Sequence, residues 1–344
     1  KGVMLTHRNL IANSLNWLAA LPQSEHDRSL VMAPMFHAAG SNGILAAIWQ
    51  GALQVPLGTF DPAAVLDLIE KHRINITLGV PSMLAAIAEE QHANPRDVSS
   101  LEALIHGGSP IATEVVRRSC SAFPTTQLIE VYGATETSPL VALLGNEENL
   151  MDDPLARSCG RAVMGCSVSI KDADGTELAR GEVGEVVVSG TNIMAGYWNK
   201  PEQTAAVLKH GGYYTGDMGY LDDDGYLFLV DRSKDMIVSG GENVYSTEVE
   251  EVLYRHPAVL EAAVFGVPDD KWGEAVYAVI VPRPENAEVQ PEELIAFCRE
   301  YIGGYKVPKG IDIQHEPLPK SGPGKVLKRE LRAPYWEGTD RTVN

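Results

Sequence analysis

Cysteine is scarce in this 344-residue chain: Cys120, Cys159, Cys166 and Cys298 are its only thiols, and none form a Cys-x-x-Cys pair. That spacing builds neither a disulfide framework nor a zinc ribbon, so reduced thiols in a cytoplasmic setting are expected. Long apolar runs are also missing. The most apolar stretch, residues 30–57, is broken by Pro34, His37, Gln50 and Pro56, short of the ~20 apolar residues a bilayer-spanning helix needs. Basic residues are outnumbered, 28 Lys plus Arg against 46 Asp plus Glu, for a net charge of −18. A surface of that sign repels phosphate backbones and anionic lipid heads, which argues against a general nucleic-acid or membrane-surface role. The sequence carries no internal repeat, low-complexity tract or signal peptide, and it enters at Lys1-Gly2-Val3-Met4 without an initiator methionine. A missing front part is expected.

What is present is 44% hydrophobic and 22% charged residues with 32 glycines, a composition that fits a compact, turn-rich protein and excludes dominant disorder. Between Arg28 and Glu136, short apolar or β-branched runs at 30–35, 52–57, 75–80, 101–106 and 128–132 alternate with stretches of helical period such as 62–72 and 81–91. That alternation predicts an α/β domain with a parallel-type sheet layered with helices. After Gly160 the pattern changes to strands joined by polar turns, as in Val168–Lys171, Asp172-Ala173-Asp174-Gly175 and Val183–Val188, predicting a β-rich subdomain over about 160–231. A hairpin-like segment, Gly219–Val230, leads into the charged Asp231-Arg232-Ser233-Lys234-Asp235. There the large domain, 1–231, is expected to end and a small α+β domain, 235–344, to begin. Within the latter, Thr247 and Glu250 have capping-box spacing ahead of a helix with Val249, Val252, Leu253 and His256 on one face. A strand over 275–281 and a helix over 291–301 follow.

The most informative segment is Val131-Tyr132-Gly133-Ala134-Thr135-Glu136-Thr137-Ser138-Pro139. It follows an apolar strand, and ligands of open α/β sheets collect at strand carboxyl ends. Thr135 offers a hydroxyl to a phosphate oxygen, Glu136 a hard oxygen to Mg2+, and Tyr132 a ring to a base. Alone the segment reads equally well as an ordinary strand-to-loop junction.

Its companions shift that balance. In chain order they are Lys1-Gly2, Pro34-Met35-Phe36-His37, Gly107-Gly108-Ser109-Pro110, Tyr132–Glu136, Tyr214-Thr215-Gly216-Asp217, Asp231–Lys234, Ser239-Gly240-Gly241-Glu242-Asn243 and Pro319–Lys325. The ensemble resembles the adenylate-forming superfamily, which comprises acyl-CoA synthetases, peptide-synthetase adenylation domains and beetle-type luciferases. The resemblance implies ATP-dependent activation of a carboxylic acid to an acyl-adenylate, then transfer to coenzyme A, with Mg2+ accompanying the nucleotide. It is greatest to fatty or related acid:CoA ligases, and a homodimer is the candidate assembly.

The resemblance also assigns roles. Lys325 is the adenylation lysine, neutralising charge as carboxylate and α-phosphate meet. Asp217 accepts the ribose hydroxyls, with Arg232 as an added donor, and Gly107, Gly108 and Ser109 line the adenine with Tyr132 and Gly133. Thr135 and Glu136 serve phosphate and metal, His37 positions or gates the acyl group, and Gly240 and Gly241 flank the pantetheine channel. Lys1 and Gly2 end the phosphate loop, and Lys234 is the hinge between half-reactions. Small residues at Gly40, Ser41, Gly43 and Ala46 suggest room for an acyl tunnel, with Trp49 able to close it. Residues 305–332 hold Lys306, Lys309, Lys320, Lys325, Lys328, Arg329 and Arg332 against three acids, which reads either as a solvated face or as a site for ATP or CoA phosphates. With part of the phosphate loop missing, the chain alone is expected to be inactive. Three alternatives stay open: an adenylation enzyme loading a separate carrier protein, a luciferase-like oxygenase, and a non-catalytic nucleotide-binding fragment.

Overall fold

The structure is a computed structural model that describes residues 1–337 other than Pro22, Glu148, Asn149, Met151, Asp152, Ser233 and 322–324. The chain divides into two compact units, Lys1–Leu229 and Val230–Asn344. The first contains β1 (Val3–Met4), α1 (His7–Ala20), β2 (Arg28–Val31), α2 (Ala38–Gln50), β3 (Leu53–Pro56), α3 (Pro62–His72), β4 (Ile76–Gly79) and α4 (Pro81–Ala93). It continues through β5 (Ala103–Gly107), α5 (Thr113–Ala122), β6 (Gln127–Gly133), β7 (Leu140–Leu144), β8 (Arg161–Ala162), β9 (Cys166–Lys171) and β10 (Gly184–Gly190). β11 (Gly196–Tyr197), α6 (Pro201–Val207), β12 (Leu208–Lys209), β13 (Gly212–Leu221) and β14 (Leu227–Arg232) complete the run.

The main sheet has the order β3-β2-β4-β5-β6-β7-β8. Its first five strands pair in parallel, as the strand and helix alternation requires. α3 shows how local chemistry sets an element. Asp61 caps it by accepting from Ala64 N at 2.8 Å, Pro62 occupies its first turn, Val65, Leu66 and Ile69 are fully buried, and Arg73 ends it in the left-handed region at φ 52°. β7 and β8 run antiparallel to their neighbours and lie beyond the stretch 28–136 for which parallel strands were expected, so the full sheet is mixed. The reversal comes at a 3-10 turn, Thr135–Thr137, followed by Ser138 at φ 70°. The β-rich subdomain is a five-stranded antiparallel sheet in which β10 pairs with β9 and β13, and β13 also with β12 and β14.

The second unit holds β15 (Ile237–Ser239), β16 (Glu242–Val244), α7 (Ser246–Tyr254), β17 (Val259–Asp269), β18 (Gly273–Pro282), α8 (Pro291–Tyr301), β19 (Gly310–Ile313) and α9 (Lys328–Trp336). Its core gathers Val249, Val252 and Leu253 of α7 with Val264, Val276 and Leu294. The expected capping box does not form. Thr247 Oγ1 donates instead to Val230 O at 2.5 Å, and Glu250 accepts from Val264 N at 2.8 Å. Tertiary partners outbid the local cap, whose two groups gain only a few tenths to ~1 kcal/mol from each other.

Among the described residues no helix is long and apolar enough to cross a membrane.

Candidate active site

Because β2, β4, β5 and β6 are parallel, their carboxyl ends share one edge of the sheet. The segments that leave this edge are Met32–His37 after β2, Gly108–Pro110 after β5 and Ala134–Pro139 after β6. Chain order reverses about β2, which lies between β3 and β4, and such a switch point opens a crevice for ligands. His37 stands there as the last residue before α2, with its carbonyl accepting from Ser41 N at 3.0 Å and its own amide donating to Pro34 O at 2.9 Å.

Asp217 is brought to this edge by a defect in β13. Val187 pairs with Tyr214 and Glu185 with Met218, so Thr215, Gly216 and Asp217 lie opposite Val186 alone. The Thr-Gly-Asp segment, expected to be a turn, is therefore a bulge within a strand. Gly216 takes φ 78°, Thr215 Oγ1 donates to Val186 O at 2.8 Å and Gly216 N to Glu185 Oε1 at 3.0 Å. Asp217 N donates to Thr215 Oγ1 at 3.0 Å, and Asp217 Oδ2 accepts from Tyr132 Oη at 2.7 Å. Burial, together with the Asp217 charge, pushes the Tyr132 phenol well above its ordinary value, so the phenol keeps its proton and stays a donor to Asp217. Tyr132 also packs on the core beside Val141 and Leu227. Its principal observed task is to aim Asp217, in addition to any stacking on a base.

Glu136 lies in the 3-10 turn. Its Oε1 accepts from Tyr197 Oη at 2.8 Å, while its carbonyl accepts from Met194 N at 2.8 Å. Tyr213 and Tyr197 are hydrogen bonded to each other, and burial with Glu136 close by pushes Tyr197 up to about 12. The Lys1 ammonium sits 4.3 Å above the Tyr197 ring, and Gly2 O accepts from Trp198 N at 2.8 Å, securing β1 on β11. Lys1 is thus gathered with Glu136 through Tyr197. Neither tyrosine was singled out in the sequence, since Gly-Tyr-Trp and Tyr-Tyr-Thr lack a motif of their own. No group of three His, Cys, Asp or Glu side chains able to hold a metal occurs among the described residues. Glu136 Oε2, which takes no hydrogen bond among them, suits an ion that keeps its waters and needs one or two carboxylates plus phosphate oxygens, which is the habit of Mg2+.

The glycines at the edge have packing reasons of their own. A Cβ on Gly107 would fall 2.1 Å from Val131 O, and Gly108 takes φ 84°. The close approach recorded at Gly107 is to β6. Gly133 is likewise pressed against Pro139 O. Ser109 is half-buried just beyond Gly108. A Cβ on Gly40 would lie 2.4 Å from Pro34 O, so its smallness serves the start of α2. The cavity beside Gly40 and Gly43, lined also by Trp17 and Ile105, measures about 30 Å3. That is room for one water, and the expected acyl tunnel is not open there.

Behind the edge lies a buried polar cluster that sequence reading passed over. His106 of β5 and Glu147 share a 2.5 Å hydrogen bond through Nε2 and Oε2, with both side chains at most 1% exposed. Glu130 of β6 pairs with His106 in register and lies on the same strand face as Tyr132. Burial, with Glu147 nearby, raises Glu130 to about 7, and Cys159 Sγ donates to it at 3.7 Å. The signal was a carboxylate inside an otherwise apolar strand.

In the second unit, Gly240 and Gly241 form the two-residue loop of the hairpin β15–β16, with Ser239 opposite Glu242 and φ values of 64° and 87°. That is a type I′ turn. A Cβ on Gly240 would strike Trp272 at 2.7 Å. Arg232 ends β14, and Lys234 O accepts from Arg332 at 3.5 Å. Lys325 is half-buried, its amide donating to Ser321 Oγ at 3.2 Å and its carbonyl accepting from Ser321 N at 2.8 Å. The glycine-rich part of that segment, 322–324, and Ser233 lie outside the described residues. Three members of the neighbouring basic run are paired with acids within the unit: Lys306 is 2.7 Å from Glu248, Lys320 2.5 Å from Glu261 and Lys328 2.6 Å from Glu250. These pairs favour an internal structural role for the run over a dedicated polyanion site.

Comparison with known proteins places this geometry. The AMP-binding enzyme model matches residues 1–198, and the AMP-binding enzyme C-terminal domain matches residues 248–325. The chain is 40% identical over 336 residues to a feruloyl-CoA synthase of Amycolatopsis sp, covering 96% of this chain and 66% of the relative. It is 37% identical to a medium/long-chain-fatty-acid–CoA ligase of Mycobacterium tuberculosis, covering 100% of this chain and 60% of the relative. It therefore spans about 60 to 66% of the length of these relatives. Among solved structures, ATP-bound MatB from Rhodopseudomonas palustris superposes with a TM-score of 0.88 at 29% identity, over 98% of this chain and 66% of that one. The o-succinylbenzoate CoA synthetase of Bacillus subtilis, in complex with its acyl-adenylate intermediate, gives 0.85 at 32%, over 100% and 67%. The chain belongs to the AMP-binding enzyme family.

Proposed function

We propose that the complete protein is an ATP-dependent acid:CoA ligase acting on a hydrophobic carboxylic acid, aliphatic or arylpropenoic. In the first half-reaction a carboxylate oxygen attacks the α-phosphorus of ATP, the bond to the β-phosphate bridging oxygen breaks, and pyrophosphate leaves. In the second, the CoA thiol loses its proton and attacks the acyl carbon, forming the thioester and releasing AMP. The observation that carries this reading is the Asp217 carboxylate, held by a bulge and by the 2.7 Å bond from Tyr132, one turn of chain from Thr135 and Glu136. A diol acceptor and a phosphate and metal site on adjoining segments suit a nucleoside triphosphate.

Roles follow the side chains. Asp217 binds the ribose, its Oδ2 retaining lone pairs beyond the Tyr132 bond. Arg232 adds donors. Thr135 holds a phosphate oxygen, and Glu136 Oε2 would hold Mg2+, which would supply neutralisation of phosphate charge. Lys325 offsets the repulsion between carboxylate and α-phosphate. Gly107, Gly108 and Ser109 pass along the adenine, and Lys1 and Gly2 adjoin the phosphates. His37 positions the acyl carboxylate, and Gly240 and Gly241 flank the thiol path. Lys234 is the pivot between the half-reactions. The feruloyl-CoA synthase and fatty-acid ligase relatives support the acid class, and the four cysteines, held as thiols, support a reducing, cytoplasmic setting.

The test is a pyrophosphate-release screen over ferulate and fatty acids of graded length, with CoA, a carrier protein or an amine as acceptor. The amine arm answers to the amide bond synthetase of Marinactinospora thermotolerans, which matches at 33% identity with a TM-score of 0.87. Acid-dependent pyrophosphate with thioester only in the CoA arm supports the proposal. Product only in another arm replaces the acceptor.

A further inference from the structure

The segment carrying Lys325 is gripped at both ends by ion pairs inside the second unit. Ahead of it, Lys320 Nζ donates to Glu261 Oε1 at 2.5 Å, and Leu318 N to Glu261 Oε2 at 3.0 Å. Behind it, Lys328 Nζ donates to Ser246 Oγ at 2.7 Å and lies 2.6 Å from Glu250 Oε1. Lys320 also bridges to Val326, and Leu327 N donates to Pro319 O at 2.8 Å, closing the neck of the segment.

The rear grip reaches further. Ser246 N donates to Asp231 Oδ2 at 2.5 Å, so Lys328, Ser246 and Asp231 form a chain from α9 through the start of α7 to the end of β14. Asp231 is 6% exposed, and the Lys328 and Glu250 side chains are 18% and 16% exposed. Burial raises both carboxyls, and the Lys328 charge opposes that rise in each. An apolar side chain of the same length would fill this place without the cost of desolvating an ammonium, and buried ion pairs are weak sources of stability. What they do supply is a fixed geometry. Lys328 is three residues from Lys325, at most ~10 Å of extended chain, so its anchoring limits where Lys325 can go.

We infer that Lys328 is a positioning residue for adenylation: held between Glu250 and Ser246, it fixes the rear of the Lys325 segment and ties it to Asp231 beside Lys234. The inference rests on the ligase reading above, and the variants separate the two. In the complete protein, Lys328→Met should lower the kcat of acyl-adenylate formation by about ten- to a hundredfold, the scale of a misplaced reacting group. The KM for ATP and thioester formation from synthetic acyl-adenylate should stay within about twofold, because neither uses the placement of Lys325. Lys328→Met combined with Glu250→Gln removes the uncompensated carboxylate, so its thermal midpoint should return toward wild type while adenylation stays slow.

If adenylation returns together with the midpoint, Lys328 serves only stability and the inference fails. It fails as well if Lys328→Met forms adenylate at the wild-type rate, or if both half-reactions fall equally. A wild-type protein that forms no adenylate from any acid overturns the ligase reading, and this inference with it.

Discussion

Asp217 and Glu136 each accept a hydrogen bond from a phenol. Tyr132 donates to Asp217 at 2.7 Å and Tyr197 to Glu136 at 2.8 Å. A phenol donor orients a carboxylate without itself neutralising the charge. Tyr197→Phe is expected to raise the Mg2+ concentration for half-maximal pyrophosphate release about tenfold, the usual scale for losing a residue behind a metal ligand, with the KM for the acid unchanged. A magnesium titration of the variant checks this. An unaltered metal requirement would show that Tyr197 supports only the fold. Lys325→Ala should cost about a hundredfold or more in adenylate formation while sparing thioester formation from preformed adenylate. Equal losses in the two assays would remove its assigned role.

Among the elements, the β15–β16 hairpin turns on two glycines with positive φ, and Gly240 also lies under the Trp272 ring. Gly240→Ala should destabilise the second unit by ~1–3 kcal/mol through left-handed strain and the clash, measurable as a lower urea midpoint. Gly241→Ala, in open space, should cost less. Equal effects would mean that Trp272 simply moves aside.

This hairpin also shows what sequence makes legible. Regular elements were plain: α3 and α8 run over the expected 62–72 and 291–301, because a proline in the first turn and an apolar stripe mark each. Asp217 was recognised by type but expected in a turn, and the turn type at Gly240 was not read. A bulge and a type I′ turn are both set by cross-strand pairing, and pairing is non-local. The Thr247–Glu250 box failed for the same reason, its groups being taken by Val230 and Val264. The pairing of the basic run was not legible because the partners of Lys306, Lys320 and Lys328 lie about 60 to 80 residues away. Tyr197 and Tyr213 gave no pattern to find.

For the molecule as a whole, the net charge of −18 coexists with a buried cluster that titrates near neutrality. Folding raises Glu130 from 4.5 to about 7 and lifts His106 above 6.5, where the Glu147 charge and hydrogen bond prevail over burial. Groups raised on folding contribute stability that is complete below the unfolded pKa and lost as pH climbs through the folded one. The thermal midpoint of the first unit should therefore fall as pH climbs from about 4.5 through about 7, and Glu130→Gln should flatten that decline. Calorimetry across this range checks it, and a midpoint that rises with pH would contradict the cluster's assignment.

The central proposal is that the complete protein joins a carboxylate to the α-phosphate of ATP. The most direct measurement is acid-dependent exchange of labelled pyrophosphate into ATP by the complete protein, without CoA. The account predicts exchange that requires Mg2+ and a hydrophobic acid, and that Lys325→Ala reduces about a hundredfold. Release of inorganic phosphate and ADP, with no exchange for any acid, would contradict it.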